Sequence, residues 1–229
     1  MNDLGEAGGG PRQPLRGRRA LVTGSTGGLG LAMAQELARA GCDVVLNGPM
    51  GGQALDAACR RLSNEAGVRV AFVEADLSTV AGVERLVAGS EEALGGVDLL
   101  INNAVVRHFA EVVDFPTDKW DAALAVNLSA AFHAIRLLLP GMRRRNFGRI
   151  FNMTSVYGLR GTPERVGYVT TKSALLGLTR TVALENLDYD ITCHSICPGS
   201  VLTPGTDERI TRMMEDGGID RRLAEKQFL

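Results

Sequence analysis

Charge of one sign is missing from this sequence: 25 lysine and arginine residues face 26 aspartate and glutamate residues, for a formal net charge of -1 at pH 7. That balance creates no field to draw in nucleic acid or a membrane surface, so small-molecule partners are expected. Cysteine is scarce as well. Cys42, Cys59, Cys193 and Cys197 lack a paired zinc spacing, and Cys193 and Cys197 share one strand-like run where a mutual bridge is sterically awkward. They read as buried thiols in a reducing cytoplasm. The histidines His108, His133 and His194 have no spacing that could ligate a metal, so no metal is expected. No run reaches the roughly 18 consecutive apolar residues of a membrane span. Residues 1–19, rich in Gly, Pro and Arg, hold no apolar signal-peptide core. Residues 1–18 are expected to be a disordered leader; Asp3 and Glu6 oppose an organelle-targeting reading of Arg12, Arg16, Arg18 and Arg19.

With 229 residues and 45% hydrophobic composition, the chain can bury one sizeable core, and a single domain is expected over residues 19–229. Short β-branched runs alternate with longer Ala/Leu-rich stretches of helical periodicity. Strands are expected at Ala20–Thr23, Asp43–Leu46, Val70–Glu74, Leu99–Asn102, Arg149–Met153 and Ile191–Ile196. Helices are expected near Leu29–Ala40, Gln53–Glu65, Val80–Leu94, Thr117–Arg144 and Gly167–Leu187. Continuous apolar strands are buried on both faces, so the pattern predicts an α/β fold with a doubly wound parallel sheet in three α/β/α layers. After Pro198-Gly199, two short amphipathic segments joined by Gly217-Gly218 are expected to form a lid over about residues 200–226.

Thr23-Gly24-Ser25-Thr26-Gly27-Gly28-Leu29-Gly30 follows the first strand and opens a helix, the context of a dinucleotide-binding turn. Gly24 permits the tight turn, Gly28 lets the backbone approach a pyrophosphate, and Gly30 lets the helix pack closely on the sheet; Thr26 and Leu29 join them as nucleotide contacts. Asp76, with Leu77, can meet the adenine, or Asp76 can serve only as a helix cap, a task open also to Ser78 and Thr79. Asn102-Asn103-Ala104 ends the fourth strand at the same edge, with Asn103 and Ala104 taken as nucleotide contacts. The second strand ends in Asn47-Gly48-Pro49, and no Arg or Lys sits there or in the glycine turn to meet a 2′-phosphate. NAD is therefore expected over NADP, with Asn47 at the ribose.

Tyr168 and Lys172 stand four residues apart, on one helical face, with Ser155 thirteen positions before the tyrosine. A free tyrosine ionises at about pH 10, so a neighbouring ammonium, joined by an oxidised nicotinamide, would favour the phenolate that proton transfer needs.

These motifs, in this order, resemble the short-chain dehydrogenase/reductase family over Arg19 to about Lys226, in the form with a TGxxxGxG loop and a YxxxK pair. The resemblance implies a Rossmann fold and an NAD(P)-dependent oxidoreductase acting on a secondary alcohol or ketone. It implies that Ser155 polarises the carbonyl, Tyr168 exchanges the proton, Lys172 binds the nicotinamide ribose, and Asn127 holds a relay water. Pro198 and Gly199 would complete the nucleotide site, and the protein would be a cytoplasmic homo-oligomer. Within the family, Val45-Leu46-Asn47-Gly48, the segment from Asp114 to Trp120, and Asn146-Phe147-Gly148-Arg149-Ile150 are most similar to D-3-hydroxybutyrate dehydrogenases. The pocket positions differ: that subfamily places a glutamine, a histidine, a lysine, a tryptophan and a second glutamine around its substrate, whereas Arg107, Tyr157, Arg165, Ser200 and Arg209 correspond here. With His108 beside Arg107, the expected substrate residues are Arg107, His108, Tyr157, Arg165 and Arg209, suited to an acidic hydroxy or keto acid. Family members continue into a further helix and strand past the position of Leu229, so the sixth strand is expected to be an edge. A catalytically weak or inactive nucleotide-binding regulatory protein on the same fold is the alternative.

Overall fold

Six strands, β1 (Arg19–Val22), β2 (Asp43–Gly48), β3 (Val70–Glu74), β4 (Leu99–Asn102), β5 (Gly148–Met153) and β6 (Ile191–Ile196), form one sheet ordered β3-β2-β1-β4-β5-β6. Every neighbouring pair is parallel. The structure, a computed structural model, describes residues 13–228. Each strand lies within a residue or two of its expected place. β2 runs on to Gly48 because Asn47 and Gly48 continue its register against Val73 and Glu74.

Among the described residues, six α-helices connect the strands, α1 (Gly28–Arg39), α2 (Gln53–Ala66), α3 (Val80–Leu94), α4 (Thr117–Leu124), α5 (Ala130–Arg145) and α6 (Val166–Leu184), and two follow β6, α7 (Pro204–Gly217) and α8 (Arg221–Phe228). Alternation along the strands divides the core into two layers. Leu21, Val45, Leu100 and Ile150 meet Leu86, Val87, Ile135, Leu138 and Met142 from α3 and α5 on one face. Ala20, Val22, Val44, Leu46 and Ile101 meet Ala34, Ala38 and Leu62 from α1 and α2 on the other. The doubly wound three-layer sheet is thus present, and its winding reverses between β1 and β4, which leaves a crevice at their carboxyl ends.

Where one helix was expected over Thr117–Arg144, a π turn at Ala125–Ser129 separates α4 from α5. The 29-residue rod Thr117–Arg145 has the length and apolarity of a membrane span. No unbroken apolar run marks it in the sequence, and its Ala130, Ala134, Ile135, Leu138 and Met142 are buried in the core.

Residues 1–12 of the expected leader lie outside the described residues. Gln13–Arg18 differ from that expectation: the Leu15 N–H donates to the Ala40 carbonyl at 2.9 Å, and Leu15 packs against the core. The Arg18 carbonyl accepts from the Asp43 N–H at 2.9 Å and its guanidinium lies over the Phe147 ring, so the turn is docked beside β1.

All four cysteines are free, with burial pushing the Cys42 and Cys193 thiols up to about 12.

Candidate active site

The glycine turn is held by polar contacts from three strand ends. Ser25 Oγ donates to the Val22 carbonyl at 2.7 Å and accepts from the Asn47 N–H at 3.0 Å. Thr23 Oγ1 accepts from the N–H groups of Asn103 and Ala104 at 2.9 and 3.0 Å, while Asn103 Nδ2 donates to the carbonyls of Thr23 and Gly24. Gly24 has φ +60°, and a Cβ there would meet Ala104 Cα at 2.8 Å. At Gly30 a Cβ would meet the Gly24 carbonyl oxygen at 2.3 Å. Gly28, by contrast, faces open space with φ +53°. Gly27 caps α1 with no side-chain hydrogen bond, so the first-turn N–H groups and the positive end of the helix dipole face the crevice. An open glycine face at an uncapped helix start fits a dinucleotide pyrophosphate.

Asn47, expected at the ribose, lines the cavity, and its side chain also holds the turn. Its Oδ1 accepts from the Gly24 N–H at 3.2 Å, and its Nδ2 donates to the carbonyls of Val73 and Ala75, so the amide braces the turn from inside. The Gly51 N–H donates to Glu74 Oε2 at 2.9 Å, placing a carboxylate against the loop after β2; periodicity alone marks Glu74 only as a strand end. Asp76 accepts from the N–H and hydroxyl of Ser78, which hold its carboxyl below the usual range. Thr79, not Asp76, caps α3 by accepting from the Gly82 N–H at 3.0 Å.

On α6, Tyr168, Lys172, Leu175, Thr179 and Val182 recur on one buried face, which fixes the tyrosine and lysine against the sheet. Lys172 Nζ donates to the Met153 carbonyl at 2.5 Å and stands 5.7 Å from the centre of the Tyr168 ring. Burial, aided by the charge of Arg107, lowers the Lys172 ammonium from 10.5 to about 8. Ser155, at the end of β5, is buried and accepts from the Tyr157 N–H at 3.2 Å.

One cavity of about 620 Å³ joins these parts, running from Gly24, Gly28, Asn47 and Asp76 to Ser155, Tyr168 and Lys172. Leu29, Gly30, Leu77, Asn103, Ala104, Pro198 and Gly199 also line it, as do Arg107, Tyr157, Arg165, Ser200 and Arg209. α7 covers this end: its cap Thr203, with Thr206 and Arg209, lines the cavity, while Arg221 of α8 pairs with Asp207 and Glu225. Thr26 and His108 do not line it. Thr26 packs beside Gly48, and the His108 ring meets Phe115 edge-on at 5.3 Å.

Asn127, in the π turn, stands behind the cavity wall. Its Oδ1 accepts from the Val106 N–H at 2.8 Å, and its Nδ2 donates to the Val106 carbonyl and to Thr171 Oγ1. The amide thereby ties the segment carrying Arg107 to α6. Asn102 likewise turns into the core, donating to Asn152 Oδ1 at 2.8 Å, and Asn152 Nδ2 donates to Thr179 Oγ1 at 2.9 Å. No sequence signal marks this buried chain; Asn152 and Thr179 meet only through packing of β5 on α6.

The chain is 38% identical over 215 residues to the D-beta-hydroxybutyrate dehydrogenase of Cupriavidus necator, covering 94% of this chain and 83% of the relative. It is 39% identical over 202 residues to that of Rhizobium meliloti, covering 88% and 78%. The L-sorbose reductase of Gluconobacter frateurii, solved with NADPH and L-sorbose, superposes with a TM-score of 0.86 at 32% identity, covering 92% of this chain and 80% of that one. The family model described as short chain dehydrogenase matches residues 18–213. A glycine turn of a shape that fits phosphates, a cavity that reaches a Tyr-Lys pair, and this match over most of the sequence make one conclusion: the chain belongs to the short chain dehydrogenase family and is an oxidoreductase acting on CH–OH groups.

Proposed function

We propose that this enzyme transfers hydride between NAD and the carbinol carbon of an acidic secondary alcohol, a hydroxy acid related to 3-hydroxybutyrate. The observation that carries this reading is the cavity itself, in which three arginines stand beside Ser155, Tyr168 and Lys172. The glycine turn, with Asp76, Asn103 and Ala104, would hold the dinucleotide. When bound, its nicotinamide accepts the hydride in oxidation and returns it in reduction.

The chain's own residues move the proton. In oxidation the Tyr168 oxygen accepts the substrate hydroxyl proton as the C–H electron pair leaves; in reduction it donates that proton to the new alkoxide. Ser155 Oγ hydrogen-bonds the reacting oxygen. Lys172, anchored by one N–H on Met153, keeps further donors for the ribose hydroxyls and places positive charge beside the tyrosine ring. The Asn127 amide is engaged with Val106 and Thr171, so its backbone carbonyl is the group we assign to a relay water.

NAD is preferred over NADP in this reading. Glu74 at the loop after β2 would repel a 2′-phosphate, and among the described residues no Arg or Lys lines the cavity beside Asn47, Gly48 and Pro49. The solved L-sorbose reductase holds NADPH, so the choice rests on this chain's own residues. The buried free thiols favour a reducing cytoplasm.

Initial rates with hydroxy acids and neutral secondary alcohols, each with NAD and NADP, test the proposal. Hydroxy acids with NAD are expected to give the highest kcat/KM; neutral alcohols matching them would overturn the substrate class, and NADP matching NAD the cofactor.

A further inference from the structure

Tyr168 belongs to a closed ring of contacts that passes through a residue outside the proton-transfer set. Arg107 lies over the Tyr168 ring, 5.2 Å from its centre. Its chain neighbour Val106 is held on both backbone groups by one side chain: the Val106 N–H donates to Asn127 Oδ1 at 2.8 Å, and Asn127 Nδ2 donates to the Val106 carbonyl at 3.0 Å. The same Nδ2 donates to Thr171 Oγ1 at 3.3 Å, and Thr171 follows Tyr168 by one turn of α6. The ring therefore runs from Tyr168 through Thr171, Asn127, Val106 and Arg107 back to the tyrosine.

Thr171 orients the amide at the centre of this ring. Its side chain is fully buried, and its one hydroxyl proton is committed to its own helix, at the Gly167 carbonyl 2.8 Å away or the Tyr168 carbonyl 3.0 Å away. A hydroxyl engaged in that way presents lone pairs alone to other elements. It receives the amino side of Asn127 and so turns Oδ1 toward the Val106 N–H. The reversed amide would set oxygen against oxygen at Thr171 and donor against donor at Val106, with both faults buried. A threonine that bonds the carbonyl four residues back is ordinary; accepting from the π turn as well gives this one a second task.

Arg107 hangs between two anchors. Beyond it, the Ala110 N–H donates to the Glu164 carbonyl at 3.1 Å, just ahead of α6. On its near side, one residue away, Asn127 grips Val106. The nearer anchor is the one Thr171 orients.

We propose that Thr171 is a positioning residue: its hydroxyl fixes the Asn127 amide and, through Val106, sets Arg107 over the tyrosine that exchanges the proton. The kinetic arm of the test rests on the hydroxy-acid reading above; the exchange arm does not.

The variants are T171V, which removes the hydroxyl and keeps the shape, T171S, which keeps the hydroxyl, and R107Q. With D-3-hydroxybutyrate and NAD, T171V is expected to lower kcat/KM by about tenfold, the ratio that a hydrogen bond of about 1.4 kcal/mol gives, and T171S to stay within about twofold of the parent. NADH affinity should change by less than about twofold in both, because the glycine turn is untouched. In an R107Q background T171V should cost less than about twofold, since the residue it positions is gone. Equal losses in both backgrounds, or a T171S as poor as T171V, overturn the proposal. Amide hydrogen exchange supplies the second measurement. The peptide containing Val106 should exchange about tenfold faster in T171V, with T171S and the β1 peptide at parental rates. If D-3-hydroxybutyrate is not turned over, the substrate reading is at fault and exchange alone decides: unchanged protection at Val106, or a loss shared equally by β1, overturns the inference. Should T171V fail to fold, T171A takes its place in every comparison.

Discussion

Arg107 and Lys172 flank one aromatic ring: the guanidinium carbon lies 5.2 Å and the ammonium nitrogen 5.7 Å from the centre of Tyr168. The sequence pairs the tyrosine with a single cation, Lys172, and the loop after β4 brings the second. Two positive groups thus stand beside one aromatic ring.

Tyr168→Phe removes the oxygen to which the proposed mechanism assigns the proton and leaves the ring that stands beside Lys172. Turnover is expected to fall by about a thousandfold, within the range for loss of a general acid-base group. NADH affinity, read by fluorescence titration, should change by less than about twofold, because the glycine turn and not the phenol oxygen supplies the phosphate site.

The charge on Lys172 destabilises the fold. Its pKa falls from 10.5 to about 8, so the unfolded chain binds more protons between those values and stability attributable to this group rises with pH across that window. At roughly 1.4 kcal/mol per unit, the cost below pH 8 is about 3 kcal/mol. Lys172→Met should therefore be inactive yet more stable than the parent in urea unfolding at pH 7, with the difference shrinking toward pH 10.

Gly30→Ala would drive a Cβ into the Gly24 carbonyl and Asn103 Nδ2, at 2.3 and 2.6 Å, both part of the rigid turn. A loss of about 1–3 kcal/mol of stability and weaker NADH binding are expected. Gly28→Ala meets no atom within 4 Å, so its cost is confined to the left-handed φ of 53°, about 1–2 kcal/mol. Chemical denaturation of the two variants separates a clash from backbone strain.

Asn152→Ala breaks the buried chain from Asn102 to Thr179 and leaves the Asn102 amide without its acceptor, while Thr179 Oγ1 keeps its bonds to Leu175 and Ser195. About 1–3 kcal/mol should be lost in denaturant midpoint, with KM for the nucleotide nearly unchanged, since neither Asn102 nor Asn152 lines the cavity.

Much of the site was legible because its chemistry is local. Gly24, Gly28 and Gly30 belong to one turn, and Tyr168 with Lys172 to one helical face, so spacing alone places them. Asn127, Asn47 and His108 were assigned by resemblance or by position at a strand end, and side-chain direction decided their surroundings. Asn127 pins Val106, Asn47 braces Gly24, and His108 meets Phe115 instead of the cavity. Glu74 went unread because its contact with Gly51 depends on the register of β3 against β2.

By itself the sequence determined the order of strands and helices along the chain, the glycine turn and the placing of Tyr168 and Lys172 on one helical face, since these follow from short continuous apolar runs, from the 3.6-residue period and from residues a few positions apart. Tertiary structure alone decided that Arg165 and Arg209 share the ring of Phe109 and that Arg107 overlies Tyr168. Those contacts join residues from separate loops and the lid helix, and only the packed sheet brings such distant segments to one edge.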